Sequence, residues 1–272
     1  MKSRLTITLS SEILKKVDRT IDGKNIRNRS HAIEHLIRKS IEPMVDTAVI
    51  LAGGKPKTKT PPPLIRIHQR HLLSLMIDHL KKFGVTKLII CAGPFEKRIK
   101  REFNSGSTIG VTINYVSETQ LLGTAGAIKR AKEYLKDNPF LVVHGDVLTD
   151  LNLNDFVRVH QDENSLATIG VKPRIAEKKY GKVLLQGNKI TDFLAQEGER
   201  GISIVNTGVY LFEPEVLNMI PRKTPSSLER DVFPRLAKMG ELSAFLFQGV
   251  WFDVSRAKDR QQAAKRWKKE KR

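Results

Sequence analysis

Short apolar runs separated by helical stretches recur along most of this chain, and they constrain the fold more than any other feature. The first covers residues 47–52 and ends in a glycine pair, and the others cover 87–91, 111–116, 140–143 and 167–171. Runs of this length predict buried strands, and their alternation with helices is typical of a parallel, doubly wound α/β sheet. In such sheets ligands bind beyond the carboxyl ends of the strands, so the residues that follow these runs are the first candidates for a functional site.

The charge of the 272-residue chain is strongly basic. Its formal net charge is +19, and residues 51–101 alone carry twelve Lys or Arg against two acids. Such a balance fits a polyanionic partner such as nucleic acid, and it fits a basic, well-solvated surface equally well. No stretch approaches the roughly 18 apolar residues of a membrane helix, and the N-terminus lacks a signal peptide, so we expect a cytoplasmic protein with no membrane contact. The single cysteine, Cys91, ends an apolar run and is expected to be a buried thiol.

The first 43 residues have a different pattern of polar and apolar side chains from the rest of the chain. Residues 4–9 alternate polar and apolar side chains, which predicts a strand. Two helices are predicted next, one over 12–21 after a serine cap and one from about residue 28 or 30 to Pro43. One strand and two short helices cannot bury a core alone, so we expect two copies to pair their strands and interlock their helices.

This segment resembles the ribbon-helix-helix DNA-binding family over its full length. The resemblance rests on the alternating strand, the stretch SSEILKKVDRTID, a glycine-containing turn and the stretch NRSHAIEHLIRKSI. It implies a homodimer whose two-stranded ribbon enters the major groove of double-stranded DNA, with a phosphate held at the N-terminus of the second helix. The DNA-binding side chains that it implies are Arg4, Thr6, Thr8, Ser30, Arg27 and Arg29. The alternative is a dimerisation arm with no role in DNA binding.

Six segments carry a second resemblance, and their order counts more than any one of them. They are LAGG at 51–54, LGTAGA at 122–127, VHGD at 143–146, NTGVYLF at 206–212, LERDVFP at 228–234 and GVWFDV at 249–254. In this order they resemble the sugar-phosphate nucleotidyltransferases that activate glucose or mannose 1-phosphate, over roughly residues 46–263. The resemblance implies that a sugar-phosphate oxygen attacks the α-phosphorus of a nucleoside triphosphate and that pyrophosphate leaves.

The same resemblance implies a set of site residues. Asp146 and Asp253 would hold Mg²⁺, for which hard carboxylate oxygens are suitable ligands. The nucleotide and the sugar would be bound by Leu51, Ala52, Gly53, Gly54, Gly123, Thr124, Asn206, Thr207 and Glu229.

The phosphate-binding loop departs from the family pattern. After the glycine pair the family continues with an Arg and, further on, a Pro-Lys pair, whereas this chain reads KPKTKTPPPL over residues 55–64. Pro62 stands about where the family has its Lys, and proline removes a backbone donor. Lys55, Lys57 and Lys59 are the candidates to supply the missing positive charge, although an ammonium group lacks the fork of arginine. The family's Glu-Lys pair for the sugar phosphate is also missing, at residues 195–196.

The sequence therefore predicts two domains. Residues 1–44 form a small ribbon-helix-helix DNA-binding and dimerisation domain, and residues 45–272 form an α/β domain with a doubly wound, Rossmann-like mixed sheet and a basic C-terminal tail. Because the DNA-binding segment is intact and the phosphate loop is altered, our leading hypothesis is a DNA-binding transcriptional regulator. Its larger domain would bind a nucleotide or nucleotide-sugar with weak or no catalysis. The alternative is an active sugar-1-phosphate nucleotidyltransferase that carries a DNA-binding or dimerisation arm.

Overall fold

The computed structural model describes residues 6–23, 26–41, 45–54, 60–118, 120–175, 182–194, 202–222 and 225–267. The chain divides into two compact units, Met1–Met44 and Val45–Arg272. In the described ranges no helix is both long enough and apolar enough to span a bilayer.

The first unit contains helices α1 (Ser11–Asp18) and α2 (Arg29–Ile41). Ser10 caps α1 by accepting the N–H of Ile13 at 3.4 Å, and the side chain of Asn28 accepts the N–H of His31 at 2.9 Å ahead of α2. Both helices begin where capping chemistry predicts, although α1 ends three residues earlier than its apolar pattern suggests. Residues 6–10 have no regular secondary structure in the single chain, so the predicted ribbon, which needs a second strand, stays a prediction.

The second unit alternates strands and helices. In chain order they are β1 (Thr47–Leu51), β2 (Arg66–Ile67), β3 (Arg70–His71), α3 (Leu72–Lys82), β4 (Lys87–Cys91), α4 (Glu96–Phe103), β5 (Thr112–Val116), α5 (Gly123–Arg130), β6 (Phe140–His144), β7 (Val147–Thr149), α6 (Leu153–Glu163), β8 (Ala167–Ile175), β9 (Lys182–Gln186), β10 (Lys189–Leu194), β11 (Ile202–Phe212), α7 (Val216–Met219), α8 (Phe233–Lys238), β12 (Leu242–Leu246), β13 (Trp251–Asp253) and α9 (Ala257–Arg266). The five apolar runs of the sequence correspond to β1, β4, β5, β6 and the first part of β8.

One sheet of nine described strands organises this unit, in the order β5-β4-β1-β6-β11-β8-β12-β10-β9. Strands β5, β4, β1 and β6 are parallel to one another, and β11 is antiparallel to β6. The predicted fold class, a doubly wound α/β domain with a mixed sheet, is therefore confirmed. Because β1, β4 and β6 run the same way, the loops that follow them meet at one edge of the sheet.

Two irregularities shape that edge. Strands β7 and β13 form a separate antiparallel pair just beyond β6, in which Asp253 is opposite Val147. Strand β11 has a register shift against β8 between Asn206 and Tyr210. Aromatic rings fill the core beneath: the ring of Tyr210 stacks on that of Phe212, with centroids 5.7 Å apart, and meets Phe233 edge-on at 5.1 Å.

Candidate active site

A cavity of about 400 Å³ opens at the carboxyl edge of β1, β4 and β6. Its lining comes from loops that are far apart in the sequence, namely Leu51, Ala52, Gly53, Gly54, Pro62, Pro63, Cys91, Glu118, Leu121, Gly123, Thr124, Ala127, His144, Gly145, Asp146 and Pro225. A space of this size holds a nucleotide-sized ligand.

Backbone forms one wall of this cavity because glycines bring the loops together. A Cβ atom on Gly53 would lie 3.3 Å from the carbonyl oxygen of Cys91, and one on Gly145 would lie 3.0 Å from the Cα of Ala52. Gly54 has φ +106°, a conformation that L side chains rarely adopt. Glycine at these positions thus lets the loops pack closely on one another, and the contact of the glycine pair with a ligand stays a prediction.

The backbones of the two predicted metal-binding aspartates are close together, and Asp146 lines the cavity. The N–H of Val254, next to Asp253, donates to the carbonyl oxygen of Asp146 at 2.7 Å, across the β7–β13 pair. The side chain of Asp253 is nearly buried, and its Oδ1 accepts the hydroxyl of Ser255 at 2.5 Å. Among the residues that the structure describes, no group of three or more His, Cys, Asp or Glu side chains is placed to hold a metal.

A π-helical turn, Leu228–Val232, carries the third predicted acid, Glu229, towards the cavity. Oε2 of Glu229 accepts the hydroxyls of Ser227 at 2.6 Å and Thr124 at 3.1 Å. Thr124 in turn accepts the N–H of Leu228 at 2.9 Å. These bonds join the start of α5 to the π turn, so Thr124 and Glu229 act as one unit although they are over 100 residues apart in the chain.

Asn206 is held by two hydrogen bonds beside this unit. Its Oδ1 accepts the N–H of Gly208 at 2.9 Å, and its Nδ2 donates to the hydroxyl of Tyr210 at 2.9 Å. That hydroxyl lies 3.3 Å from Nε2 of His144, which lies 3.9 Å from Oε1 of Glu229. Thr207 is buried and donates its hydroxyl to Gly170, so its side chain is engaged within the fold, which does not favour the predicted contact with the sugar.

Glu118 and His144 line the cavity, and the sequence analysis missed both. Burial raises the pKa of Glu118, opposed by a hydrogen bond from the N–H of Leu122. Burial also raises the pKa of Cys91 well above that of a reactive thiol, as expected for an inert wall residue. Their positions offered a signal: Glu118 follows β5 and His144 ends β6, at the edge where ligands bind.

The other predicted site residues are not all placed. Lys55, Lys57, Lys59 and Arg4 lie outside the described residues. In the first unit, Thr6, Thr8, Arg27 and Ser30 are exposed, whereas Arg29 is paired with Asp18 at 2.7 Å. The Arg29 guanidinium lowers the pKa of Asp18, mainly through their side-chain hydrogen bond.

Comparison with known proteins places these features in context. Residues 47–270 match the family described as nucleotidyl transferase. The chain is 33% identical over 223 residues to mannose-1-phosphate guanylyltransferase catalytic subunit beta of Danio rerio, covering 78% of this chain and 62% of that protein. It is also 33% identical over 239 residues to UTP–glucose-1-phosphate uridylyltransferase of Synechocystis sp., covering 79% of this chain and 62% of that protein. The chain thus spans less than two thirds of the length of these relatives.

Solved structures agree with the fold. HddC from Yersinia pseudotuberculosis, in its complex with GMP-PN, superimposes with a TM-score of 0.72 at 24% sequence identity, over 82% of this chain and 100% of that chain. At this identity the likeness concerns the fold.

Proposed function

The chain belongs to the nucleotidyl transferase family, and from that premise we propose that it is a sugar-1-phosphate nucleotidyltransferase. The reaction would join a nucleoside triphosphate and a sugar 1-phosphate into a nucleotide sugar and release pyrophosphate. The observation that carries the proposal is a glycine-walled cavity lined by Asp146, whose backbone carbonyl is hydrogen-bonded to the N–H of Val254, next to Asp253.

The leading hypothesis of the sequence analysis, a DNA-binding transcriptional regulator with little or no catalysis, is wrong. The relatives that match most of this chain are named as guanylyl- and uridylyltransferases of sugar 1-phosphates. That hypothesis inferred weakened catalysis from the altered phosphate loop and the missing Glu-Lys pair, whereas the six ordered segments are distributed from residue 51 to residue 254.

The donor set at the mouth of the cavity fits Mg²⁺. This ion prefers oxygen ligands and is usually held by one or two carboxylates together with substrate phosphates and water. The carboxylates of Asp146 and Asp253 would hold it, and when bound it would neutralise charge on the triphosphate. The chain's own contribution is to position the reactants in line, because phosphoryl transfer depends mostly on positioning and on charge neutralisation.

Glu118 supports guanine as the base. An ionised carboxylate only accepts hydrogen bonds, and guanine presents two adjacent donors, N1–H and the N2 amino group, that match its two oxygens. Uracil and thymine present one N–H between two carbonyl oxygens, which a carboxylate repels. Because Glu118 lines the cavity and is half-buried, this difference would not be screened by water.

The positive charge for the triphosphate is proposed to come from Lys55, Lys57 or Lys59. Among the described residues that line the cavity, none is Lys or Arg. Pro62 and Pro63, which follow these lysines in the sequence, line the cavity, and proline nitrogens carry no N–H to bind a phosphate.

The test is pyrophosphate release by the full chain from GTP, UTP, ATP, CTP and dTTP with mannose or glucose 1-phosphate and Mg²⁺. We expect turnover with GTP, and Asp146→Asn should reduce it by about three decades, because the carboxylate charge at the metal is lost. The matched control is Asp137→Asn, at an exposed position outside the cavity lining. No turnover with any pair, or full activity of Asp146→Asn, would refute the proposed reaction.

For the first unit we propose a ribbon-helix-helix arm that pairs with a second copy. Large apolar side chains are exposed on it in the single chain: Ile7 at 44%, Ile13 at 48% and Ile37 at 43%. Ile37→Glu in the full chain should shift the molar mass measured by light scattering from dimer to monomer, and an unchanged mass would contradict pairing through this surface. DNA contacts by the six residues named for them stay predictions of the sequence.

A further inference from the structure

The register shift in β11 is a bulge that shapes the sugar end of the site. From Asn206, opposite Val171, to Tyr210, opposite Ile169, β11 advances four residues while β8 advances two. Gly208 lies inside the bulge with φ +76°, and a Cβ there would come within 3.0 Å of the ring of His144. Bulges of this kind re-aim side chains next to functional sites. Here the bulge begins directly after Asn206 and brings Gly208 against the ring of His144.

The hydroxyl of Tyr210 is the point where the polar groups of this region meet. The residue is fully buried, yet its hydroxyl accepts a hydrogen bond from Nδ2 of Asn206 at 2.9 Å and lies 3.3 Å from Nε2 of His144. Burial raises the pKa of the Tyr210 hydroxyl most, and the charge of Glu229 raises it further, so the hydroxyl is a neutral donor and acceptor. A buried hydroxyl is costly unless it is paired, and this one is paired only with side chains of the site.

The hydrogen bonds fix the orientation of the Asn206 amide. Its oxygen takes the backbone N–H of Gly208, so its nitrogen must face Tyr210 and donate to the hydroxyl. The hydroxyl proton is then directed at Nε2 of His144, 3.3 Å away. With the amide so oriented, its second N–H and the remaining lone pair of its oxygen are the groups with which it can bind a ligand.

We propose that Tyr210 is a positioning residue for the sugar 1-phosphate: its hydroxyl sets the orientation in which the Asn206 amide meets the sugar. The inference rests on the proposed function, in which Asn206 and Glu229 bind the sugar. Tyr210 does not touch substrate itself, because its ring lies within the aromatic core against Phe212 and Phe233.

The test is Tyr210→Phe, which keeps the ring and removes only the hydroxyl. We expect KM for mannose 1-phosphate to rise about tenfold, as for one lost hydrogen bond to a substrate-orienting group, with KM for GTP unchanged. The matched control is Tyr115→Phe, whose hydroxyl donates to the carbonyl oxygen of Asn104 at 2.9 Å and is not part of the site. In a double-mutant cycle, Tyr210→Phe should add little in the Asn206→Ala background, because the hydroxyl acts through the amide.

Three results would overturn the inference: equal rises in KM for both substrates, additive effects in the cycle, or a Tyr210→Phe variant that loses its fold. Failure of the proposed function would look different, as a wild-type chain without turnover. In that case calorimetric titration with mannose 1-phosphate and with GTP still tests the role of Tyr210, since Tyr210→Phe should weaken the binding of mannose 1-phosphate and leave that of GTP unchanged. A wild-type chain that binds neither would refute both the inference and the proposed function.

Discussion

Replacing Glu118 by glutamine would exchange a carboxylate for an amide of the same shape in the wall of the cavity. The carboxylate can accept from both donors of a guanine edge, whereas the amide accepts one and turns its own N–H₂ against the other. The change thus removes one charge-assisted hydrogen bond to guanine, which is worth about 1.5–3 kcal/mol. It also leaves one guanine donor unpaired, which costs about 1–3 kcal/mol more. The sum is about 2.5–6 kcal/mol, or roughly two to four decades in kcat/KM for GTP.

The same substitution should favour UTP. An amide can accept the N3–H of uracil and donate to a neighbouring carbonyl oxygen, so kcat/KM for UTP should rise while that for GTP falls. The assay is pyrophosphate release with each triphosphate at fixed mannose 1-phosphate, with Glu102→Gln on the exposed surface of α4 as the control. A Glu118→Gln variant that keeps the wild-type ratio of GTP to UTP would refute the assignment of the base.

The ionisation of Glu118 gives an independent check. Burial raises its folded-state pKa, so its contribution to stability is present below the unfolded pKa and is lost as pH rises through the folded pKa. Glu118→Gln should therefore melt at a higher temperature than wild type at neutral pH. GTP needs the ionised form, so its affinity should fall as pH drops through the raised pKa. Lower stability of the variant at neutral pH would contradict this account.

Three further predictions concern the scaffold, each measured by urea denaturation. Gly123→Ala should lower the free energy of unfolding by about 2–5 kcal/mol, because φ is +77° and the new Cβ would overlap a backbone carbonyl oxygen. Gly187→Ala, where the new Cβ would have nothing within 4 Å, should lower it by about 1–2 kcal/mol. Equal losses in the two variants would contradict the close contact at Gly123. Gln69→Gly should stabilise the chain by about 0.5 kcal/mol, since φ is +68° in the β2–β3 turn, and a lower midpoint would argue against strain there. Asp259→Asn should lower the free energy of unfolding by about 3 kcal/mol, because it weakens the ion pair between the buried Asp259 carboxylate and Arg174 at 2.9 Å. A loss below about 1 kcal/mol would contradict a stabilising role for this ion pair.

The limits of sequence reasoning are clearest in the N-terminal unit and in the net charge. An intact-looking arm and an altered phosphate loop favoured a regulator, which the comparisons overturned, and the net charge of +19 fitted a solvated surface equally well. Charge is a property of the whole surface and does not identify a partner. Capping serine and asparagine, by contrast, did locate the starts of α1 and α2, because a cap acts within one turn of its own helix.

The sequence by itself determined the α/β class and the strands β1, β4, β5 and β6, whereas the shared metal-binding role of Asp146 and Asp253 stays a prediction. Apolar periodicity and motif order are local along the chain, so they can be read without coordinates. Only the tertiary structure decided that Glu118 lines the cavity and that the hydroxyl of Tyr210 joins Asn206 to His144. These residues come from different strands and turns, and their meeting depends on sheet order and on the β11 bulge, which no local pattern encodes.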